Sequence, residues 1–584
     1  MLQGIAASAG IGLGRVMLLE EQSLTYPTAP PADIQAELGR FQAAVGVFRQ
    51  NTQAQAELLR HSAGHKEAQI LSAHVQMVED PYFTGEVEKH IQEGKRAEAA
   101  LDQVCQWFTA MFLASGDDLT QQRAADVRDV RTGLLCVLLG LEEVEVSQAP
   151  KGTVLVAKEI SPSVAAGINP KNIVGIVTEI GGMTSHSAIL ARALQVPAVL
   201  GLPGATGLLK ASSFVIVDGS TGEVVPEPQA DVVQDYRKRR QAFLRRRWQL
   251  NRLRGKPTQA ASGERFHLYC NISKPQDAEK ALEEDGEGVG LFRTEYLFMD
   301  RDRLPGEEEQ FRAYRKAAQA LEGRTLTIRT LDLGGDKAVP YLDLPREDNP
   351  FLGTRGIRYC LEHPDIFSTQ LRAVLRASAY GKLRLLFPMI CTLEELWAGR
   401  AFLEKAKVEL TAQGLAFDAR IPVGIMVETP SAAAIADLLA RDADFFSIGT
   451  NDLTGYIMAC DRGNPQVSGL FSSLQPAVLR CIRQVIQCAQ GHGIQVGMCG
   501  EAAANPMIIP LLMAFGLTEF SVAAASVLSV RKAISQWTME GARQVAEEVM
   551  SMPTEEDIVR FLRAHGPAAA GGRDKAARIR LPQV

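Results

Sequence analysis

From about Arg265 onward the sequence alternates short apolar runs with helical patterns, and this alternation restricts the possible folds more than any other feature. Eight runs read as strands: Phe266–Ile272, Gly288–Phe292, Leu326–Leu331, Leu383–Met389, Pro422–Val427, Phe445–Ile448, Ile494–Met498 and Glu519–Val522. Helical segments separate most of them. Eight βα units in about 300 residues is the count of a (β/α)8 barrel. An open eight-stranded sheet is the alternative.

In such a barrel, binding and catalytic residues gather where strands end. The second strand leads to Arg293-Thr-Glu295, and the third contains Arg329 and runs on to Asp332. An excursion after it holds Asn349-Pro-Phe-Leu-Gly-Thr-Arg355-Gly-Ile-Arg358. The fifth leads to Glu428, the sixth to Asn451-Asp452 with Asp461-Arg462 beyond, and the seventh to Cys499-Gly-Glu501. Arginine forks suit phosphate and carboxylate. Glu428 and Asp452 offer hard oxygen ligands of the kind Mg²⁺ takes alongside substrate oxygens and water. The combination describes a site for a small, multiply charged anion with a divalent cation. Singly, each has a duller reading: a salt bridge for Arg293 and Glu295, a helix cap for Asp452, a core residue for Cys499.

A second centre lies upstream, at Glu179-Ile-Gly-Gly-Met-Thr-Ser-His186. The run Ile173–Thr178 reads as a buried strand, Gly181-Gly182 as a turn, and Ile189, Leu190, Ala193 and Leu194 as a helix ending before Pro197. His186 therefore falls at a helix N-terminus, with Thr184 or Ser185 as N-cap, where free N–H groups and the dipole favour anions. A phosphate carrier and an ordinary capped helix fit this local pattern equally.

The other N-terminal elements are helices and short strands. Arg15-Val-Met-Leu-Leu is a strand too small to fold alone, and it requires a later partner. Four helices follow in the next stretch: one with Ile34, Leu38, Phe41, Val45 and Phe48 behind Asp33, one over Lys66–Val78 stopped at Asp80-Pro81, one with Val104, Phe108 and Met111, and one with Val127, Val130, Leu134 and Val137. His74 reads as partly exposed, and the charge-dense Arg123–Asp129 as a solvated face. Strands return at Thr153–Ala157, Ile173–Thr178, Phe214–Asp218 and Glu223-Val-Val. Residues 229–256 form a polar helix rich in Lys and Arg.

A formal net charge of −6 argues against general affinity for nucleic acid or anionic membranes and makes that basic helix a solvated connector. The nine cysteines lack metal-ligand or disulfide spacing and read as reduced thiols of a cytoplasmic protein. No signal-peptide pattern and no membrane-length apolar run is evident.

Together, Gly181-Gly-Met-Thr-Ser-His186, Gly290-Leu-Phe-Arg293-Thr-Glu295, Asn349-Pro-Phe-Leu-Gly, Phe446-Ser-Ile-Gly-Thr-Asn451-Asp452-Leu-Thr, Asp461-Arg462-Gly-Asn and Gly497-Met-Cys499-Gly-Glu501 resemble the Enzyme I family of the bacterial phosphoenolpyruvate-dependent sugar phosphotransferase system. Ala124–Asp129 resembles that family's helical subdomain. The resemblance implies a multidomain α/β protein: a swivelling β/α phosphohistidine domain (1–19 and 145–228) with an inserted four-helix subdomain (20–144), a linker helix (229–256), a C-terminal (β/α)8 barrel (257–565) and a disordered tail (566–584). It implies that His186 is phosphorylated by phosphoenolpyruvate and passes the group to the phosphocarrier protein HPr, docked on the helical insert. Arg293, Arg329, Arg355 and Arg462 with Asn451 and Asp452 would bind substrate, Glu428 and Asp452 would ligate Mg²⁺, and Cys499 would protonate the enolate. The barrel would form the homodimer.

Two departures stand out. Met183 replaces a residue often basic in Enzyme I, a form that also resembles pyruvate phosphate dikinase. Val164-Ala165-Ala166 lacks the family's threonine beside the histidine. A dikinase or phosphoenolpyruvate synthase would need a nucleotide-grasp domain, for which this length leaves no room. A regulatory paralogue with another acceptor is the remaining alternative.

Overall fold

The computed structural model describes residues 1–566 except 20–23, 28, 63–64, 115–117, 142–145, 184, 300, 302, 335–338, 340, 343–346 and 463. The tail expected to be disordered lies, from residue 567, outside the described residues. The chain divides after Arg247 into two compact units.

In the first unit, eight strands make one sheet: β1 (Leu2–Gln3), β2 (Ile5–Ser8), β3 (Ile11–Leu19), β4 (Thr153–Ala157), β5 (Ile173–Thr178), β6 (Ala198–Leu200), β7 (Phe214–Asp218) and β8 (Glu223–Pro226). Their order is β1-β8-β7-β3-β4-β5-β6-β2. The early strand finds its later partners: β3 runs parallel to β4 and antiparallel to β7. Parallel β4 and β5 are buried and apolar apart from one threonine each, as strands covered on both faces should be, whereas β3 carries the exposed Arg15. Gly12 needs its missing side chain here, since a Cβ would stand 2.0 Å from the Val174 carbonyl oxygen.

Among the described residues five α-helices, not four, lie between β3 and β4: Ile34–Ser62, His65–Glu79, Pro81–Gln92, Ala97–Leu113 and Asp118–Leu139. The unexpected third buries Phe83, Val87 and Ile91, spaced by four. The second helix stops at Glu79 as expected, and Pro81 also starts the third, because proline suits the first helical position; Asp80 caps it, accepting from the Tyr82 N–H. Asp33 caps the first helix through the Gln35 N–H at 2.8 Å.

Two further expectations fail in this subdomain. His74 is buried, its Nε2 3.2 Å from Asp126. The charge-dense segment is no solvated face throughout, since Asp129 is buried and accepts the Ser163 backbone N–H (3.1 Å) and hydroxyl (2.7 Å). Both are contacts between helices, which the periodicity of one helix does not register.

The polar helix spans Ala230–Asn251. Its first half is tied to the sheet: the Tyr236 hydroxyl donates to Glu223 at 3.0 Å and Arg239 donates to Asp218 at 2.8 Å.

In the second unit, β9 (His267–Ile272), β10 (Val289–Arg293), β11 (Leu326–Arg329), β12 (Leu383–Phe387), β13 (Val423–Val427), β14 (Phe445–Ile448), β15 (Gln495–Met498) and β16 (Glu519–Val522) close into a parallel barrel, which excludes the open sheet. All eight lie within about two residues of their sequence positions, the usual latitude at element ends. The main core lies between strands and surrounding helices, and a smaller one, including Leu291, Leu386, Met426 and Phe445, fills the barrel. Among the described residues, no helix is long and apolar enough to cross a membrane.

Candidate active site

At the C-terminal ends of the strands the backbone is still held by the sheet while side chains gain open space. A cavity of about 1050 Å³ opens there. It is lined by every barrel residue to which the resemblance gave a role, Arg293, Arg329, Arg355, Glu428, Asn451, Asp452, Arg462 and Cys499, but not by Arg358. Arg293 and Arg329 end β10 and β11. Glu428 and Cys499 immediately follow β13 and β15. Asn451 and Asp452 occupy the first turn of the helix Thr450–Met458, placed by β14. Arg355 enters from the excursion after β11, and Arg462 is exposed at the cavity's edge.

The charges are closely interlocked. Arg329 lies 2.7 Å from Glu295 and 3.0 Å from Asp332 through Nη2. Arg355 reaches Asp332 through Nε (3.0 Å) and Nη2 (3.2 Å), and Asp452 through Nη1 (2.8 Å) and Nη2 (3.1 Å). Burial opposes both positive charges, but the facing carboxylates outweigh it and hold both guanidinium pKa values above the usual range. The buried Nε–H of Arg329 has no partner among the described residues. An unpaired buried donor on a side chain that lines a cavity calls for an explanation, and an anion bound there would supply one.

Glu428 is buried, and its Oε1 accepts the Met389 N–H at 2.7 Å. Burial, together with the Asp452 and Asp332 carboxylates, pushes its pKa up to about 8. That crowding is what a divalent cation would relieve, and an all-oxygen donor pair suits Mg²⁺. Among the described residues no cluster of three or more His, Cys, Asp or Glu stands in ligating geometry. Two carboxylates therefore fit an ion whose shell is completed by substrate oxygens and water. Asn451 Oδ1 accepts the Glu501 N–H at 3.2 Å, which leaves its amide NH₂ as a donor. Burial raises the Cys499 thiol pKa, so it keeps its proton at neutral pH.

The sequence reading gave Asp332 no role and offered Glu295 only as a salt bridge to Arg293, whereas Glu295 orients Arg329 and Asp332 orients both Arg329 and Arg355. It passed over Tyr456, which lines the cavity four residues after Asp452 and was recoverable from helical spacing. The Met389 amide was not recoverable. Its φ of 60° is unusual for a non-glycine residue, and no sequence pattern encodes it.

His186 belongs to the other unit. It is the first residue of the helix His186–Ala193. Ser185 is the N-cap, its hydroxyl oxygen accepting the Ala188 N–H at 3.3 Å, while Thr184 lies outside the described residues. Gly181 turns the chain at φ 123°. Arg192 secures the loop by donating to the Met183 carbonyl at 3.0 Å. Ser187 donates to the Ile160 carbonyl at 2.9 Å.

Models of PEP-utilising enzymes match along the chain: the N-terminal domain over residues 3–123, the mobile domain over 149–222 and the PEP-binding domain over 247–539. The chain is 43% identical over 563 residues to the phosphoenolpyruvate-protein phosphotransferase of Bacillus subtilis (strain 168), covering 96% of this chain and 99% of that one. It belongs to the phosphoenolpyruvate-protein phosphotransferase, or Enzyme I, family. The enzyme of that name from Geobacillus stearothermophilus is 42% identical over 563 residues, 96% of this chain and 97% of that one. A solution structure of an Enzyme I protein matches over 42% of this chain and 99% of that one at 32% identity, with a TM-score of 0.38. As a member of the family this chain is an enzyme whose phosphoryl donor is phosphoenolpyruvate. The PEP-binding match contains the whole rim cavity, and the mobile-domain match contains His186.

Proposed function

We infer that this phosphotransferase moves the phosphoryl group of phosphoenolpyruvate to His186, releasing pyruvate, and then to a histidine of HPr. The observation that carries the reading is the rim cavity, which four arginines, two candidate metal carboxylates, an amide and a thiol line together. Arg293, Arg329, Arg355 and Arg462 match the phosphate and carboxylate of the substrate by charge and fork geometry. Their fixed donors stabilise charge on the phosphoryl oxygens during transfer, which is where catalysis of phosphoryl transfer chiefly lies. Mg²⁺, held by Glu428 and Asp452, would supply further neutralisation of phosphoryl and enolate oxygens. Asn451 orients the substrate through its amide donor. Cys499 gives its proton to the carbon that becomes the methyl group of pyruvate.

His186 accepts the phosphoryl group at a helix N-terminus, which favours the resulting anion. Transfer requires it to reach first the rim and then the acceptor, so we assign a swivel at the helix around 229–256. We assign the helical segment 20–144 to HPr docking, residues 1–19 with 145–228 to the phosphohistidine domain, and 257–565 to substrate binding and homodimerisation. Tyr82, Trp107 and Met111 support the docking role, being exposed around Phe108 on two neighbouring helices. We place the protein in the cytoplasm, where its nine unpaired cysteines would stay reduced.

Incubation with radiolabelled phosphoenolpyruvate and Mg²⁺ tests the reading. Wild type acquires acid-labile label and His186→Ala acquires none; acid-labile label persisting on the variant overturns the carrier assignment. Added HPr drains the label from the enzyme, and label that stays put defeats HPr as acceptor.

A further inference from the structure

Directly beneath the cavity, a small polar group interrupts the apolar interior of the barrel. Cys499 is 3% exposed and packs with Leu291, Leu386, Met426 and Phe445. Its backbone is fixed from two sides. Its N–H donates to the Ile448 carbonyl at 3.1 Å, and its own carbonyl accepts from Asn271 Nδ2 at 3.0 Å. Asn271 is oriented in turn by the Ser521 hydroxyl, which donates to its Oδ1 at 2.7 Å. The sulfur is held more loosely. Its S–H faces the Ile448 carbonyl at 3.8 Å, a long contact, and its lone pairs receive the Ser447 hydroxyl at 3.2 Å. Ser447 lies on β14 and is itself buried.

We propose that Ser447 is a positioning residue for the acid step, its hydroxyl aligning the Cys499 sulfur and stabilising the thiolate left when the proton departs. This rests on Cys499 being the acid that protonates the enolate. In that step the S–H bond breaks and its electron pair stays on sulfur. The π pair of the enolate forms the new C–H bond, pyruvate leaves, and the thiolate later takes a proton from water. A bare thiolate is costly among Leu291, Leu386 and Met426. An O–H donor to sulfur grows stronger as the sulfur becomes charged. Ser447 therefore stabilises the transition state more than the resting thiol, the condition for a rate effect. The pKa balance agrees in direction: burial raises the thiol, and the Ser447 hydrogen bond opposes it. Nothing in the role requires Ser447 to touch substrate.

The test uses full-length enzyme with Mg²⁺, phosphoenolpyruvate and HPr. Ser447→Ala should lower kcat for pyruvate formation by about tenfold or more, the worth of one hydrogen bond to a charged group, with KM for phosphoenolpyruvate within about twofold. The pH midpoint for iodoacetamide alkylation of Cys499, read by mass spectrometry of its peptide, should rise by about one unit. Ser447→Cys, isosteric with a weaker donor, should fall between on both readouts and serves if the alanine variant does not fold. A wild-type kcat and an unmoved alkylation midpoint in either variant overturn the proposal. Cys499→Ala separates the two ideas. Undiminished turnover there defeats Cys499 as the acid, whereas slow turnover there with normal Ser447 variants defeats only Ser447.

Discussion

The two ends of the barrel use the same chemistry to opposite effect. At the N-terminal end Arg384, on β12, is buried and its charge is matched by Glu519 at 3.0 and 3.2 Å. Its Nε donates to Thr327 at 3.1 Å, Gln495 accepts at 3.4 Å, and the guanidinium stacks 4.7 Å from the Phe445 ring centre. At the C-terminal end Arg329 is equally buried, yet among the described residues its Nε–H has no partner. Arg355 divides its fork between Asp332 and Asp452 at the wall of a large cavity. A guanidinium whose donors are saturated by its own fold is a plug. One with an unpaired donor on a cavity-lining side chain has capacity left for an anion, and burial alone does not distinguish them.

Three experiments test this contrast. The largest effect belongs to Arg384→Met, which strands Glu519 in the barrel interior. It should lower stability by about 3–5 kcal/mol in urea unfolding while the folded fraction keeps kcat/KM within about twofold. Adding Glu519→Leu should recover most of the loss, because an apolar pair replaces a buried ion pair at little cost. If Arg384→Met instead abolishes turnover in folded protein, the N-terminal end is not merely structural.

Next comes Arg329→Lys, which keeps the positive charge facing Glu295 and Asp332 but loses the fork. It should reduce kcat/KM for phosphoenolpyruvate by about a hundredfold with little change in the unfolding midpoint. A variant that loses stability instead of activity would make Arg329 a second plug.

The smallest effect is electrostatic and lies at the N-terminal end. The hydrogen bond to Glu287, at 3.0 Å, raises the His267 pKa above its ordinary 6.5, with burial working the other way. The stabilisation is fully present below about pH 6.5 and is lost as pH climbs through the raised folded value. Glu287 does not titrate in that window: burial raises its pKa, but His267 lowers it further, and the net value lies below the ordinary carboxylate range. Because the histidine is partly exposed, the slope should be shallow. Urea midpoints from about pH 6 to about pH 9 should decline slightly in wild type, and His267→Gln should abolish that decline.

Much of the architecture was legible from local pattern. Short apolar runs between helical periods marked all eight barrel strands, because a strand covered by helices is apolar along its length. Ser185 before His186 marked the helix start, because a side-chain acceptor is what an N-terminal turn lacks. The missed helix shows where local reading fails on its own terms. Asp80-Pro81 both ends one helix and begins another, and only the spacing of Phe83, Val87 and Ile91 separates the two meanings.

The inventory of the site was therefore a property of sequence: arginines, carboxylates, an amide and a thiol at strand ends, and a histidine at a helix start. Which arginine is saturated and which is left open was decided by the closed barrel. Arg384 meets a glutamate 135 residues away, and Arg355 meets an aspartate 97 residues away. Hydrogen-bond satisfaction depends on atoms brought within about 3 Å of one another, and only the tertiary fold sets those distances across such stretches of chain.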